Sequence, residues 1–326
     1  MDKKYDVVAL GELLIDFTPA GISEGNMLLF ERNPGGAPVN MLTAVTKNGF
    51  HTAFVGKVGN DMHGIFLRDT VQKIGIDVSG LIMADDVFTT LAFVGLSEQG
   101  ERTFSFARKP GADTRICFRE VPVEMLQSTK ILHIGSLSLT DEPARTTTFQ
   151  AVRAAKEAGA VISYDPNYRA PLWESEEEAA ERMKSLLQYV DMIKISDEET
   201  RLLTPFQEPK EAAEYLLMKG IKVVAVTLGK DGALIAGPKG HAIVPGYSSR
   251  VTDTTGAGDS FWGGFISRYL SYEEKPEELT LEQLQECALY GNATASLCVE
   301  KRGGIPSIPD KQAVEERLNV MIKQVL

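Results

Sequence analysis

Short apolar runs alternate with amphipathic stretches along most of this chain, and that alternation limits the folds open to it. Ile131-Leu-His-Ile134 reads as a buried strand and leads into a helical stretch carrying Phe149, Val152, Ala155 and Ala158. Val161-Ile-Ser-Tyr164 is the next strand, followed by an acidic helix over residues 175–189. Residues 191–195, a helix with Ala212, Ala213, Leu216 and Leu217 on one face, and residues 223–228 continue the series. The N-terminal third starts the same way, with strand 5–10, helix 39–47, strand 52–58 and helix 64–74. Apolar strands separated by helices form βαβ units, whose parallel sheet is covered on both faces. The expectation is an α/β fold, with one domain over residues 1–326.

Two stretches break the rhythm. Residues 14–33 and 86–112 are rich in β-formers (Thr89, Leu91, Phe93, Val94, Thr103, Phe104, Phe106), with turns at residues 98–101 and at Pro110-Gly-Ala112. They read as antiparallel strands set apart from the main sheet, inserted in the domain either as a mobile lid over a cleft or as an extension of the sheet edge. Phe93, Phe104 and Phe106 on an uncovered strand layer are a liability, and the same face of a second copy is the simplest cover. A homodimer through this layer is therefore expected.

Charge and motif content exclude several functions. Against 34 basic side chains stand 45 acidic ones, a net −11, and there is no long Lys/Arg block. Nucleic-acid binding runs on phosphate neutralisation, so no nucleic-acid partner is expected. Three scattered cysteines without a Cys-x-x-Cys pair argue against a disulfide framework and suit a reducing compartment. The charged N-terminus runs straight into a strand, so no signal peptide is expected there. No window holds the roughly 18 unbroken apolar residues of a membrane span. A cytoplasmic protein is expected. Gly59-Asn-Asp-Met-His-Gly64 is followed by Ile65, so a Walker A lysine is missing, and Gly11-Glu-Leu-Leu-Ile-Asp16 is no dinucleotide fingerprint. His51, His63, His133 and His241 share no metal-ligand spacing.

The most informative run is Asp253-Thr-Thr-Gly-Ala-Gly-Asp-Ser-Phe261. Beyond it, Phe261, Phe265 and Tyr269 recur on one row and Trp262, Ile266 and Leu270 on the next, which predicts a buried helix starting near Gly258. Gly256, Ala257 and Gly258 then sit at a helix N-terminus, where free amides and the positive dipole end attract an anion. Asp259 in the first turn is either a cap or a general base beside a phosphate site; residue type alone leaves both open.

All nine positions of that run closely resemble the second signature of the ribokinase-like sugar kinases, the phosphofructokinase-B family. Asn33-Pro-Gly-Gly-Ala-Pro-Val-Asn40 resembles the first signature, and Gly56-Lys-Val-Gly59-Asn-Asp61 with Gly64 follows at the usual distance. Within the family, Gly11-Glu-Leu-Leu-Ile-Asp16-Phe-Thr-Pro19, Tyr164-Asp-Pro-Asn-Tyr-Arg169 and Ile193-Lys-Ile-Ser-Asp197 look most like fructokinases. The resemblance implies a three-layer α/β/α fold with a mainly parallel central sheet and a small β-sheet lid. It implies phosphorylation of the primary 6-hydroxyl of D-fructose, with ATP and Mg²⁺ as cofactors and K⁺ as a further candidate.

By position, the resemblance makes Asp259 the catalytic base and Gly256, Ala257 and Gly258 the anion hole. Asp16, Gly35, Gly36 and Asn40 are to hold the sugar. Lys194, Thr227, Gly229, Gly232 and Asn292 are to face the nucleotide, although Thr227-Leu-Gly229 also reads as a plain strand exit. The family's Asn-x-x-Glu appears as Ser196-Asp-Glu-Glu199, so Glu199 keeps the acid that meets magnesium through water while its Asn partner is replaced. Asp253 and Thr255 resemble part of a monovalent-cation site. Arg108 and Arg169 lie at strand ends, where open α/β sheets place ligands and where related 2-keto-3-deoxygluconate kinases hold a substrate carboxylate. That activity, or a catalytically silent sugar or nucleotide sensor on the same fold, is the alternative; the retained Asp259 argues against the sensor.

Overall fold

The computed structural model describes residues 3–96 and 102–325. The turn expected at residues 98–101 and the side chain of Phe104 lie outside the described residues. The chain enters through strands β1 (Tyr5–Leu10), β2 (Leu14–Ile22), β3 (Leu28–Gly35) and β4 (Thr52–Gly59). It continues through β5 (Asp77–Ala84), β6 (Leu91–Leu96), β7 (Arg102–Ala107) and β8 (Thr129–Gly135). The remaining strands are β9 (Val161–Asp165), β10 (Met192–Ser196), β11 (Val223–Thr227), β12 (Ala233–Gly237) and β13 (Gly240–Val244).

Nine strands form the main sheet in the order β13-β12-β11-β10-β9-β8-β1-β4-β5. Pairing is parallel from β11 through to β5, and only β12 and β13 run antiparallel at one edge. Successive residues of a strand point to opposite faces, and the two cores divide accordingly. Val8, Leu132, Ile162 and Ile193 pack with helices Ala144–Glu157, Glu176–Leu186 and Pro209–Met218. Val7, Ile131, Met192 and Val223 pack on the other face with helices Ala37–Lys47, Met62–Ile74, Ala257–Tyr269 and Leu281–Cys298. The three layers follow directly from this alternation. Trp262 Nε1 donates to Ser163 Oγ at 2.8 Å, and His133 Nδ1 lies 3.0 Å from the same hydroxyl. This network ties the helix behind the glycine turn to the sheet, and burial, helped by Lys194, holds His133 neutral with a pKa of about 3.

The second sheet has the order β3-β2-β6-β7. Its outer pairs are antiparallel as expected, but β2 and β6 run parallel, with Asp16 opposite Ala92 and Phe17 opposite Phe93. The reason is topological. These two strands continue from β1 and β5, parallel members of the main sheet, and so leave it in the same direction. Phe17 stacks on Phe93 at 5.2 Å and meets the His63 ring edge-on at 5.7 Å, which fastens this layer to helix Met62–Ile74. Farther out, Ile22, Met27, Leu28, Leu29 and Phe30 are all exposed. Among the described residues, no helix is long and apolar enough to cross a membrane.

Candidate active site

A cleft of about 780 Å³ opens at the C-terminal ends of the parallel strands, partly roofed by the second sheet. Chain leaving β1, β9, β10 and β11 supplies its walls, and the turn before helix Ala257–Tyr269 supplies its floor. Of the residues singled out in the sequence, Asp16, Gly36, Asn40, Arg169, Lys194 and Glu199 line it. So do Thr227, Gly229, Thr255, Gly256, Ala257, Gly258 and Asp259.

The floor is built by backbone geometry. Gly256 is the N-cap residue at φ 76°, a left-handed conformation that suits glycine, and no side chain caps this N-terminus. The first-turn amides and the dipole therefore face the cleft. Gly258 leaves room underneath, since a Cβ there would stand 2.7 Å from Lys194 Nζ. Asp259 does not act as a cap. Its buried carboxylate accepts a hydrogen bond from Asn40 Nδ2 at 2.8 Å, joining two helices across the floor. Burial raises the Asp259 pKa, with Glu199 adding to the rise; Lys194, the Asn40 bond and Arg169 oppose it.

Lys194 pairs with Asp165 at 3.0 and 3.2 Å, with both side chains buried. Burial alone would discharge the ammonium, but Asp165, Glu199 and Asp259 together hold its pKa above the usual lysine value. Arg169 reaches the cleft because Asn167 takes a left-handed φ of 49° and Glu199 pins the next amide, Tyr168 N–H, at 2.7 Å. The other Glu199 oxygen accepts from Ser196 N–H and Oγ at 2.8 and 3.1 Å.

On the opposite wall, Asp16 stands beside Gly35, where a Cβ would come within 2.1 Å of its Oδ2; Gly35 leaves room for that carboxylate without lining the cleft. Burial raises the Asp16 pKa to about 6, with Arg169 opposing and Asp259 and Asp253 adding. Gly36, at φ 123°, packs against the Glu12 carbonyl. Glu12 was missed by the sequence reading. Its Oε1 accepts Ala37 N–H at 3.1 Å, so it holds the start of the helix that carries Asn40, and burial pushes its pKa up to about 7. The available signal was an acid inside the apolar run Leu10 to Ile15.

Besides Gly35, four sequence-selected residues sit off the cleft wall. Arg108 is corrected: it is buried, and its guanidinium donates to Asp113, Thr140 Oγ1 and the Leu137 carbonyl, each at 2.8 Å. Its charge is spent inside the fold. Gly232, at φ 102°, makes room for the Val244 carbonyl, and Asn292 Nδ2 donates to the carbonyls of Val244 and Pro245 at 3.1 and 3.0 Å. Both shape the chain beside β13 rather than reaching the cleft. Asp253 accepts from Thr255 N–H at 2.8 Å and Gly303 N–H at 3.0 Å, strapping the anion turn to the Gly303-Gly304 turn. Among the described residues, no group of three His, Cys, Asp or Glu side chains is placed to hold a metal ion.

Residues 4–311 match the sequence profile described as pfkB family carbohydrate kinase. The chain is 40% identical over 307 residues to the probable fructokinase-5 of Arabidopsis thaliana, covering 93% of this chain and 94% of that protein. It is 39% identical to fructokinase-2 of Solanum lycopersicum, covering 93% of each. The Xylella fastidiosa fructokinase solved with bound ATP superposes with a TM-score of 0.89 at 28% identity, over 98% of this chain and 99% of that one. The Vibrio cholerae O395 fructokinase in its fructose, ADP and calcium form gives 0.86 at 31% identity, over 97% of this chain and 100% of that one.

Proposed function

Because the chain belongs to the pfkB family of carbohydrate kinases, we propose that it is an ATP-dependent fructokinase, converting D-fructose to fructose 6-phosphate and ADP. The observation that carries this reading is the buried Asp259, aimed away from any capping role and set beside an uncapped helix N-terminus. Asp259 takes the proton of the sugar's 6-hydroxyl as that oxygen attacks the γ-phosphorus. The amides of Gly256, Ala257 and Gly258 receive the charge on the transferring phosphoryl group. Asp16, Gly36 and Asn40 hold the sugar hydroxyls, with Gly35 giving Asp16 its space. Thr227 and Gly229 face the nucleotide, while Gly232 and Asn292 fix the neighbouring chain. The engagement of Arg108 leaves Arg169 alone to meet a substrate carboxylate, which disfavours 2-keto-3-deoxygluconate. A coupled ADP-release assay over fructose, ribose, 2-keto-3-deoxygluconate and adenosine tests the assignment: fructose is expected to turn over fastest, and preference for another acceptor would overturn it.

Mg²⁺, which neutralises phosphate charge, is carried by the nucleotide and water rather than by a protein cage. Glu199 is the acid nearest to that role in our reading, although its oxygens already hold Ser196 and Tyr168. Glu199→Gln is expected to raise the Mg²⁺ concentration needed for half-maximal rate while the fructose KM stays put; an unmoved magnesium titration counts against it. Asp253 and Thr255 serve a K⁺ site by holding the turn whose carbonyls would bind it. We read the protein as cytoplasmic, a reading that its free cysteines suit.

The second sheet is a lid in this reading; Phe106 lines the cleft and Phe93 stacks on Phe17, so it is the exposed apolar residues Ile22, Met27, Leu28, Leu29 and Phe30 that meet the same layer of a second copy. Sedimentation at micromolar concentration is expected to give a dimer. A fully active monomer removes the interface.

A further inference from the structure

Lys194, expected from the resemblance to face the nucleotide, carries the one buried ammonium among the described residues that line the cleft. Lys194 turns both to Asp165 and towards Gly258, whose lack of a side chain lets the ammonium lie directly under the anion turn. We infer that Lys194 is a positioning residue for the base: paired with Asp165, it keeps Asp259 ionised and ready to accept the sugar's proton. This rests on Asp259 being the base.

The surroundings of Asp259 make the argument. Lys194 and Arg169 face it with positive charge, Glu199, Asp165 and Asp16 with negative charge, and Asn40 and Cys298 are the polar neighbours. Glu199 has its own satisfaction in backbone and hydroxyl donors. Take Lys194 away, and Asp259, Asp165 and Asp16 share a desolvated space with Arg169 as the remaining cation. Anions crowded that way keep a proton among them, and the base stays neutral at the pH where it must act. Asp165 has the converse effect. It fixes the ammonium in place but draws part of its field away from Asp259, and it adds a negative neighbour.

The two side chains therefore have opposite expected effects on one observable, the acid limb of the pH profile of kcat at saturating fructose and ATP. Lys194→Met moves that limb up by about one pH unit or more, so that the rate lost at pH 7 is regained as pH rises. Asp165→Asn moves it down. The double variant, which leaves no unpaired charge of this pair buried, lies between the two and guards against a folding defect in either single change. A loosened fold lowers activity at every pH and cannot drive the limb in opposite directions. Lys194→Met that raises KM for ATP with the acid limb in its parental place would make Lys194 a nucleotide contact and overturn the inference. An inactive Asp259→Asn with unmoved limbs in both single variants sinks the Lys194 role alone, whereas an active Asp259→Asn sinks the base assignment beneath it.

Discussion

Asp259→Asn is expected to leave the chain folded and its ATP affinity intact while kcat falls by about 10²–10⁴, the usual range for removing a general base. The asparagine keeps the shape of the side chain and an oxygen to accept the Asn40 amide, now 2.8 Å away, but it cannot take a proton. Stability is expected to move the other way. Burial raises the Asp259 pKa, so the protonated form is the one the fold favours. Its stabilising share is complete below the unfolded-state pKa and is lost as pH rises through the folded-state value. At neutral pH the ionised carboxylate is therefore a cost to the fold, and a neutral amide relieves it. A thermal melt at pH 7.5 should show the variant at least as stable as the parent, which separates lost chemistry from lost structure. Turnover close to the parental rate would return Asp259 to the status of a structural residue.

The alternation of strand and helix made the main sheet legible because its inner strands are buried on both faces and read as unbroken apolar runs, as in Val7 to Leu10 or Val223 to Val226. The strands that escaped were β5, β12 and β13. Ala233–Gly237 and Gly240–Val244 are short, rich in alanine and glycine and joined by a tight turn, so they carry little β-former signal. The lid strands were legible as β-rich text, but their pairing was not, because the parallel β2–β6 contact depends on where β1 and β5 leave the main sheet. At the site, the glycine turn was visible from its residues alone. Arg108 misled because its partner Asp113, five residues on, belongs to a short helical turn with no periodic signal. Glu12 and Asp165 were passed over for the same kind of reason. Each works through a contact with residues distant in sequence, Ala37 and Lys194, that no local pattern announces.

Asp16→Asn is expected to raise the fructose KM by about tenfold to a hundredfold, with ATP binding unchanged, because a charge-assisted hydrogen bond to a sugar hydroxyl is weakened by roughly 1.5–3 kcal/mol. The carboxylate sits at the start of the lid strand β2, opposite Asn33, in the gap that Gly35 leaves for it. Its pKa near 6 makes the same residue a source of pH dependence. As pH falls below about 6 the carboxylate takes up a proton and loses its capacity to accept from two hydroxyls, so the parental KM for fructose should climb. The asparagine variant, with nothing to titrate, should lose that climb while keeping the Asp259 limb in kcat. Its fold should gain, not lose, at neutral pH, since the raised pKa means that ionised Asp16 is disfavoured by its surroundings there. A higher KM together with a higher melting temperature is thus the signature of a residue kept for binding at the expense of stability. Arg169→Ala supplies the contrast: it removes the cation that opposes the rise in the Asp16 pKa, so the pH at which fructose affinity fails should move up. If Arg169→Ala instead abolishes use of 2-keto-3-deoxygluconate by an enzyme that never accepted fructose, Asp16 is no fructose ligand and the substrate assignment falls with it.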